Sequence, residues 1–170
     1  MLIEPATHAD IPALLALIHS AYRGASAKRG WTHEADLLEG QRTDDEALTA
    51  TIDDPAQLLL VARDGDALAG CIALTDKGGL GYIGLVTVDP ERQAGGLGRQ
   101  LLNAAEETAR SRFAATRAEM TVIDGRAELI AWYERRGYRL TGERRPFPTT
   151  DPRFGLPRKP LQFVVLEKPL

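Results

Sequence analysis

The stretch from Tyr82 to Leu102 limits the choice of fold more than any other part of the chain. Residues 82–88, Tyr-Ile-Gly-Leu-Val-Thr-Val, are apolar and β-branched and read as a strand. Asp89-Pro90 ends it, because proline cannot donate to a ladder. A glycine-rich loop, Gln93-Ala94-Gly95-Gly96-Leu97-Gly98-Arg99, then turns into a helix whose apolar positions Leu97, Leu101, Ala105, Thr108 and Phe113 recur close to a 3.6-residue period. Glycine at a helix start costs about 1 kcal/mol against alanine, so the pattern suggests a compensating ligand close to the backbone. Free N–H groups of the first turn and the positive end of the helix dipole make an anion site, and missing Cβ atoms let phosphate oxygens reach it. The plain alternative is a glycine-rich turn with no ligand.

Two familiar phosphate loops are excluded by the residues themselves. A Walker loop needs Gly-Lys-Ser/Thr after its glycines, and Arg99-Gln100 follows Gly98. A dinucleotide fingerprint starting at Gly96 needs glycine at position 101, where this chain has Leu101, and it belongs in an alternating strand–helix array.

With 170 residues, 44% of them hydrophobic, the chain is expected to form one globular domain over residues 1–170. The single cysteine, Cys71, excludes an intrachain disulfide and suggests a reducing compartment. No apolar run approaches membrane-span length and the N-terminus carries no signal-like segment, so the expected location is the cytoplasm, without membrane association. Net charge is −3, but residues 1–55 carry 4 Lys/Arg against 10 Asp/Glu, whereas residues 126–170 carry 10 against 5. A nucleic-acid partner is not expected, since the total is not basic and no basic stripe stands out. Most of this unevenness is expected to be solvated surface.

Leu2 to Ala6 reads as a short strand. Asp10 is placed as an N-cap for a first helix carrying Ile11, Leu14, Leu15, Ile18 and Tyr22 on one face. Residues 23–42 read as a long loop around Trp31-Thr32-His33-Glu34, of the kind that is often functional. Thr43 and Glu46 suggest a capping box opening a second helix that stops before Pro55. Strands at 57–62, 68–75 and 82–88 make a meander, with a tight turn at Asp64-Gly65. After the glycine-rich helix come a strand at 117–123, a helix at 128–136 closed by Gly137, a strand at 138–141, a proline-rich loop at 142–160 and a last strand at 161–167. If exposed, that final strand would permit a homodimer.

Gln93-x-x-Gly96-x-Gly98, after a strand and opening a helix, resembles the pyrophosphate motif of the GCN5-related N-acetyltransferase (GNAT) superfamily, written Gln/Arg-x-x-Gly-x-Gly/Ala. About 35 residues on, Trp132-Tyr133-Glu134-Arg135-Arg136-Gly137-Tyr138 resembles the family's aromatic-Tyr-Glu-x-x-Gly-Phe/Tyr segment. The element order fits from end to end. The implied fold is α/β (α+β): a central, mixed, mostly antiparallel sheet of about seven strands, splayed between the fourth and fifth and flanked by about four helices.

The resemblance implies an acetyl-CoA-dependent N-acetyltransferase that uses no metal and moves the acetyl group to a primary amine of a small molecule by direct attack in a ternary complex. A protein N-terminal or lysine acetyltransferase and a non-catalytic coenzyme A-binding regulatory domain remain as alternatives. Gln93, Ala94, Gly95, Gly96, Leu97, Gly98 and Arg99 would hold the pyrophosphate. Backbone near Val86 and Val88 on the splayed strand would bind the pantetheine arm and the thioester carbonyl, and Tyr133 would protonate the leaving thiolate. Many members carry Asn seven residues and Ala four residues before that tyrosine; this chain has Arg126 and Leu129, so Arg126 is expected at the cofactor as a charge. Arg99, Arg135 and Arg136 could reach the nucleotide phosphates or be plain surface residues. The acceptor pocket would draw on Tyr22, Trp31, Glu34 and Arg42, with Phe147 to Phe154 beside them. The base is open among Glu34, Asp124 and a water relay. His8, His19 and His33 show no metal-ligand spacing with Cys71, and no Gly-x-Ser-x-Gly elbow is present.

Overall fold

In the computed structural model, residues 1–22, 38–39, 43–146, 156–157 and 162–170 are described. Trp31, Glu34, Arg42 and Phe147 to Phe154 lie outside the described residues, as do the side chains of Tyr22 and Ala94. In chain order the elements are β1 (Leu2–Pro5), α1 (Ile11–Tyr22), β2 (Leu38–Glu39), α2 (Asp45–Asp53), β3 (Gln57–Asp64), β4 (Ala67–Asp76) and β5 (Leu80–Val88). There follow α3 (Leu97–Phe113), β6 (Arg117–Ile123), α4 (Ala127–Glu134), β7 (Arg139–Pro146), β8 (Leu156–Pro157) and β9 (Gln162–Pro169). Seven strands form one sheet in the order β1-β3-β4-β5-β6-β9-β7, and β2 pairs with β8 in a separate two-stranded ribbon. Every neighbouring pair in the sheet is antiparallel except β5 with β6. Among the described residues the expected mixed, mostly antiparallel seven-stranded sheet and four α-helices are therefore present.

The helices divide between the faces according to their apolar stripes. Ile11, Leu14 and Ile18 of α1 and Leu48 of α2 bury against Leu59, Val61 and Cys71 on one face. Leu97, Leu101, Leu102, Ala105 and Ala109 of α3 bury against Ile72, Leu74, Ile83, Met120 and Val122 on the other. α3 lies so close that a Cβ on Gly70 of β4 would stand 2.7 Å from the Thr87 carbonyl oxygen and 2.8 Å from Leu101 Cδ1. Among the described residues no helix is long and apolar enough to cross a membrane.

Several boundaries differ from expectation for local reasons. Asp10 does not cap α1 from outside; it ends a short 3₁₀ turn at His8–Asp10, where its carboxylate accepts the Thr7 amide at 2.9 Å. That carboxylate also takes Arg63 Nη1 at 2.9 Å and Nη2 at 2.7 Å, tying the helix entry to β3. α2 is capped by Asp44, whose carboxylate accepts the Ala47 amide at 2.8 Å, rather than by Thr43. Residues 142–146, expected as the start of a loop, continue β7 through a register shift between Leu140 and Arg144. β9 is not an exposed final strand, because it inserts between β6 and β7 and leaves β7 as the edge.

Candidate active site

The sheet opens between β5 and β6. Their parallel pairing covers Leu80↔Arg117, Gly81↔Ala118 and Tyr82↔Glu119 and stops there, while β5 follows β4 to Val88 and β6 follows β9 to Ile123. Just past the fork the Tyr82 hydroxyl and Thr121 Oγ1 meet at 2.6 Å across the gap. On the β4 side, Cys71 pairs with Thr87 and Ala73 with Gly84, so Leu85 and Val86 oppose Ile72 alone. This is a β-bulge, and Leu85 takes a φ of 51°, a conformation costly for a branched residue and favoured at sites that the surrounding structure over-determines. The extra residue switches which side chains face each way. Ile83 belongs to the α3 cluster, Leu85 packs with α1 and α2, and Val86 and Val88 return to the α3 side.

That switch aims Val86 and Val88 into a cavity of about 260 Å³ between β5, α3 and α4. One wall is the start of α3. Gly96 is its N-cap with φ 76° and ψ 11°, a left-handed conformation that glycine adopts without a Cβ penalty, and no side chain caps the helix. The first-turn amides and the helix dipole therefore favour an anion there. Gln93, Gly96, Gly98 and Arg99 line this side.

The opposite wall is α4. Arg126 stands at its N-cap, and Arg126, Leu129, Trp132, Tyr133 and Arg136 all face the cavity. The helix ends in a Schellman pair, with the Gly137 amide bonding Glu134 O at 3.0 Å and the Tyr138 amide bonding Tyr133 O at 3.2 Å around Gly137 at φ 98°. This chain reversal sets three aromatic rings in sequence: Trp132 edge-on to Tyr133 at 5.2 Å, and Tyr133 edge-on to Tyr138 at 6.0 Å. Behind them lies a buried polar cluster. Glu106 of α3, 4% exposed, accepts the Tyr138 hydroxyl at 2.8 Å and the Lys168 ammonium at 2.9 Å. Burial first, then the Glu106 charge and hydrogen bond, hold the Tyr138 phenol well above its usual pKa.

The sequence model of the acetyltransferase (GNAT) family matches residues 17–138, which include the strand fork, the glycine-rich helix start and the Tyr133 segment. The chain belongs to the GNAT family. Among curated proteins none matches it. Among solved structures, a ribosomal-protein-alanine N-acetyltransferase from Brucella melitensis is similar with a TM-score of 0.73 and 23% identity, covering 100% of both chains. The structure of yncA from Salmonella typhimurium with its cofactor acetyl-CoA has a TM-score of 0.71 and 20% identity, covering 100% of this chain and 94% of that one. Aminoglycoside 6'-acetyltransferase type Ii has a TM-score of 0.68 and 18% identity, covering 99% of this chain and 97% of the other. At these identities the likeness is one of fold.

Of the residues singled out in this GNAT sequence, Val86, Val88, Gln93, Gly96, Gly98, Arg99, Arg126 and Tyr133 line the one cavity. Gly95 and Leu97 do not; both line a shallower depression beside Met1, Glu91, Arg92 and Gln100, and the Leu97 side chain is in the core at 4% exposure. Asp124, a candidate base, is engaged by Arg144, whose hydrogen bond holds its carboxyl below the usual range and makes it a poor proton acceptor. Ala21, Thr87, Leu129 and Trp132 also line the site without having been assigned to it. The Glu106 cluster was missed as well. Its signal is a carboxylate four residues after Leu102 and three before Ala109, on the stripe that α3 buries.

Proposed function

We propose that the protein is an acetyl-CoA-dependent N-acetyltransferase acting on a primary amine of a small molecule by direct attack in a ternary complex. The observation that carries this reading is that one cavity joins an uncapped helix N-terminus, the bulged edge of an opened strand and the Tyr133 ring. The first-turn amides of α3 would hold the diphosphate, with Arg99 and Arg126 adding positive charge. Backbone at Val86 and Val88 would align the pantetheine arm and polarise the thioester carbonyl, a type of contact worth on the order of 10²–10³ in rate. The acceptor nitrogen attacks the carbonyl carbon, the C–S bond breaks, and Tyr133 gives its phenolic proton to the departing thiolate. The acceptor's own proton must leave before attack, because an alkylammonium with a pKa near 10 has no lone pair. With Asp124 held by Arg144, Glu34 and a water relay remain as its takers.

Leu38 pairs with Pro157 and Glu39 with Leu156, so the β2–β8 ribbon ties the α1–α2 connection to the β7–β9 connection, the two segments from which the acceptor pocket would be built. The decisive experiment follows thiol release from acetyl-CoA across polyamines, amino acids, aminoglycosides and short peptides, with wild type and Tyr133→Phe side by side. Release that depends on a small amine and falls at least about tenfold in the mutant supports the reading. Release with peptides alone would move the acceptor to a protein terminus or lysine, and acetyl-CoA binding with no turnover would leave a regulatory domain.

A further inference from the structure

Arg136 meets no carboxylate among the described residues, unlike several other arginines. Arg63, Arg92, Arg144 and Arg145 each meet a carboxylate. The Arg136 guanidinium instead lies over the Trp132 ring, its carbon 4.3 Å from the centroid. Its Nη1 makes a long 3.5 Å contact to the Trp132 carbonyl oxygen, and its Nε is buried with no acceptor among the described residues. Burial, then the like charges of Arg135 and Arg99, lower its pKa from the usual range. A buried donor without an acceptor is costly, and clustered like charges add to that cost. Such an arrangement is expected where an anionic ligand completes it.

Its position selects which anion. The Trp132 indole edge faces the first turn of α3, its Cζ2 lying 3.6 Å from where a Cβ on Gly98 would stand. Arg136 sits over the ring face and lines the same cavity. Arg136 and the first turn of α3 thus meet the same indole, one over its face and the other at its edge, so a single ligand carrying a second anionic group can engage both. We propose that Arg136 binds the terminal 3′-phosphomonoester of the coenzyme's nucleotide, as a subsite distinct from the diphosphate at α3. This inference rests on the acetyl-CoA reading above. A phosphomonoester suits the geometry because it carries up to two charges and three acceptor oxygens, and a guanidinium fork meets these in a plane that the indole fixes. Arg99 and Arg135 raise the local positive potential without needing direct contact.

The test is calorimetric titration of coenzyme A and 3′-dephospho-coenzyme A into wild type, Arg136→Gln and Arg136→Lys, each first checked for an unchanged far-ultraviolet spectrum. Wild type is expected to prefer coenzyme A by about tenfold or more, in line with hydrogen bonds to a charged group. Arg136→Gln should lose most of that preference while binding the dephospho form as wild type does. Arg136→Lys should recover only part of it, since lysine restores charge but not the stacked fork. Equal weakening of both ligands in Arg136→Gln would overturn the assignment and move Arg136 to the diphosphate, and no change with either ligand would remove it from the site. A wild type that binds neither ligand would instead bring down the acetyl-CoA reading itself, so the two failures are separate.

Discussion

Tyr133 and Tyr138 stand five residues apart at one end of α4, their rings 6.0 Å apart and edge to face, yet their surroundings are opposite. Tyr133 is 5% exposed but lines the cavity, with Trp132 on one side and the opened strand beyond. Tyr138 is 1% exposed and faces inward, where Glu106 and Lys168 fix its hydroxyl. Burial alone does not separate a reactive phenol from a structural one. What separates these two is that Tyr133 lines the cavity while the Tyr138 hydroxyl is bound to Glu106 inside the core. The proton of Tyr138 is held so firmly that it is unsuited to leave, whereas Tyr133, which lines the cavity, is the phenol proposed above as the proton donor.

The sharpest way to break this contrast is to exchange each tyrosine for phenylalanine and read turnover and stability together. Tyr133→Phe should lower kcat by about 10²–10⁴, the range of a general acid, with a small change in melting temperature. Tyr138→Phe should do the reverse. If Tyr138→Phe were to cost as much turnover as Tyr133→Phe, the contrast would fail and the two rings would have to act as one unit. Next in size, Glu106→Ala should destabilise by about 3 kcal/mol, because it leaves the buried Tyr138 hydroxyl and the half-buried Lys168 ammonium without their shared acceptor. Thermal or urea unfolding checks this, and turnover per folded molecule should hold.

Much of the arrangement around Tyr133 was legible in the sequence, and little of that around Tyr138. The strand, glycine-rich turn and helix from 82 to 113 announce themselves because each signal is local: β-branching, a proline stop, glycines and a 3.6 period. The bulge at Leu85 was hidden because Leu85 and Val86 are both apolar, so inserting one residue leaves no mark on composition while reversing the faces. The insertion of β9 between β6 and β7 is a long-range pairing that no local pattern encodes. Asp44 and Thr43 are adjacent cap formers, and only the backbone decides between them. Asp10 reads as a cap from the sequence because its partner Arg63 lies 53 residues further along the chain. Glu106 was visible only as an irregular polar residue on an apolar stripe, and its partners come from two distant elements.

Smaller effects test the inner half of the contrast. Tyr138→Phe removes a hydroxyl whose bond to a charged acceptor is worth about 1.5 kcal/mol, and it leaves Glu106 with Lys168 alone. Its pH dependence is the finer diagnostic. The folded-state pKa of Tyr138 is raised above its unfolded value near 10, by burial and then by Glu106. The stability this contributes is fully present below about pH 10 and is lost as pH rises beyond it, because only the unfolded chain then releases the proton. Wild type should therefore lose stability between about pH 10 and pH 11 more steeply than Tyr138→Phe, measured as urea midpoints. Parallel slopes for wild type and Tyr138→Phe would mean that the Tyr138 proton is not held by the Glu106 cluster, and the distinction between the two phenols would then rest on the cavity alone.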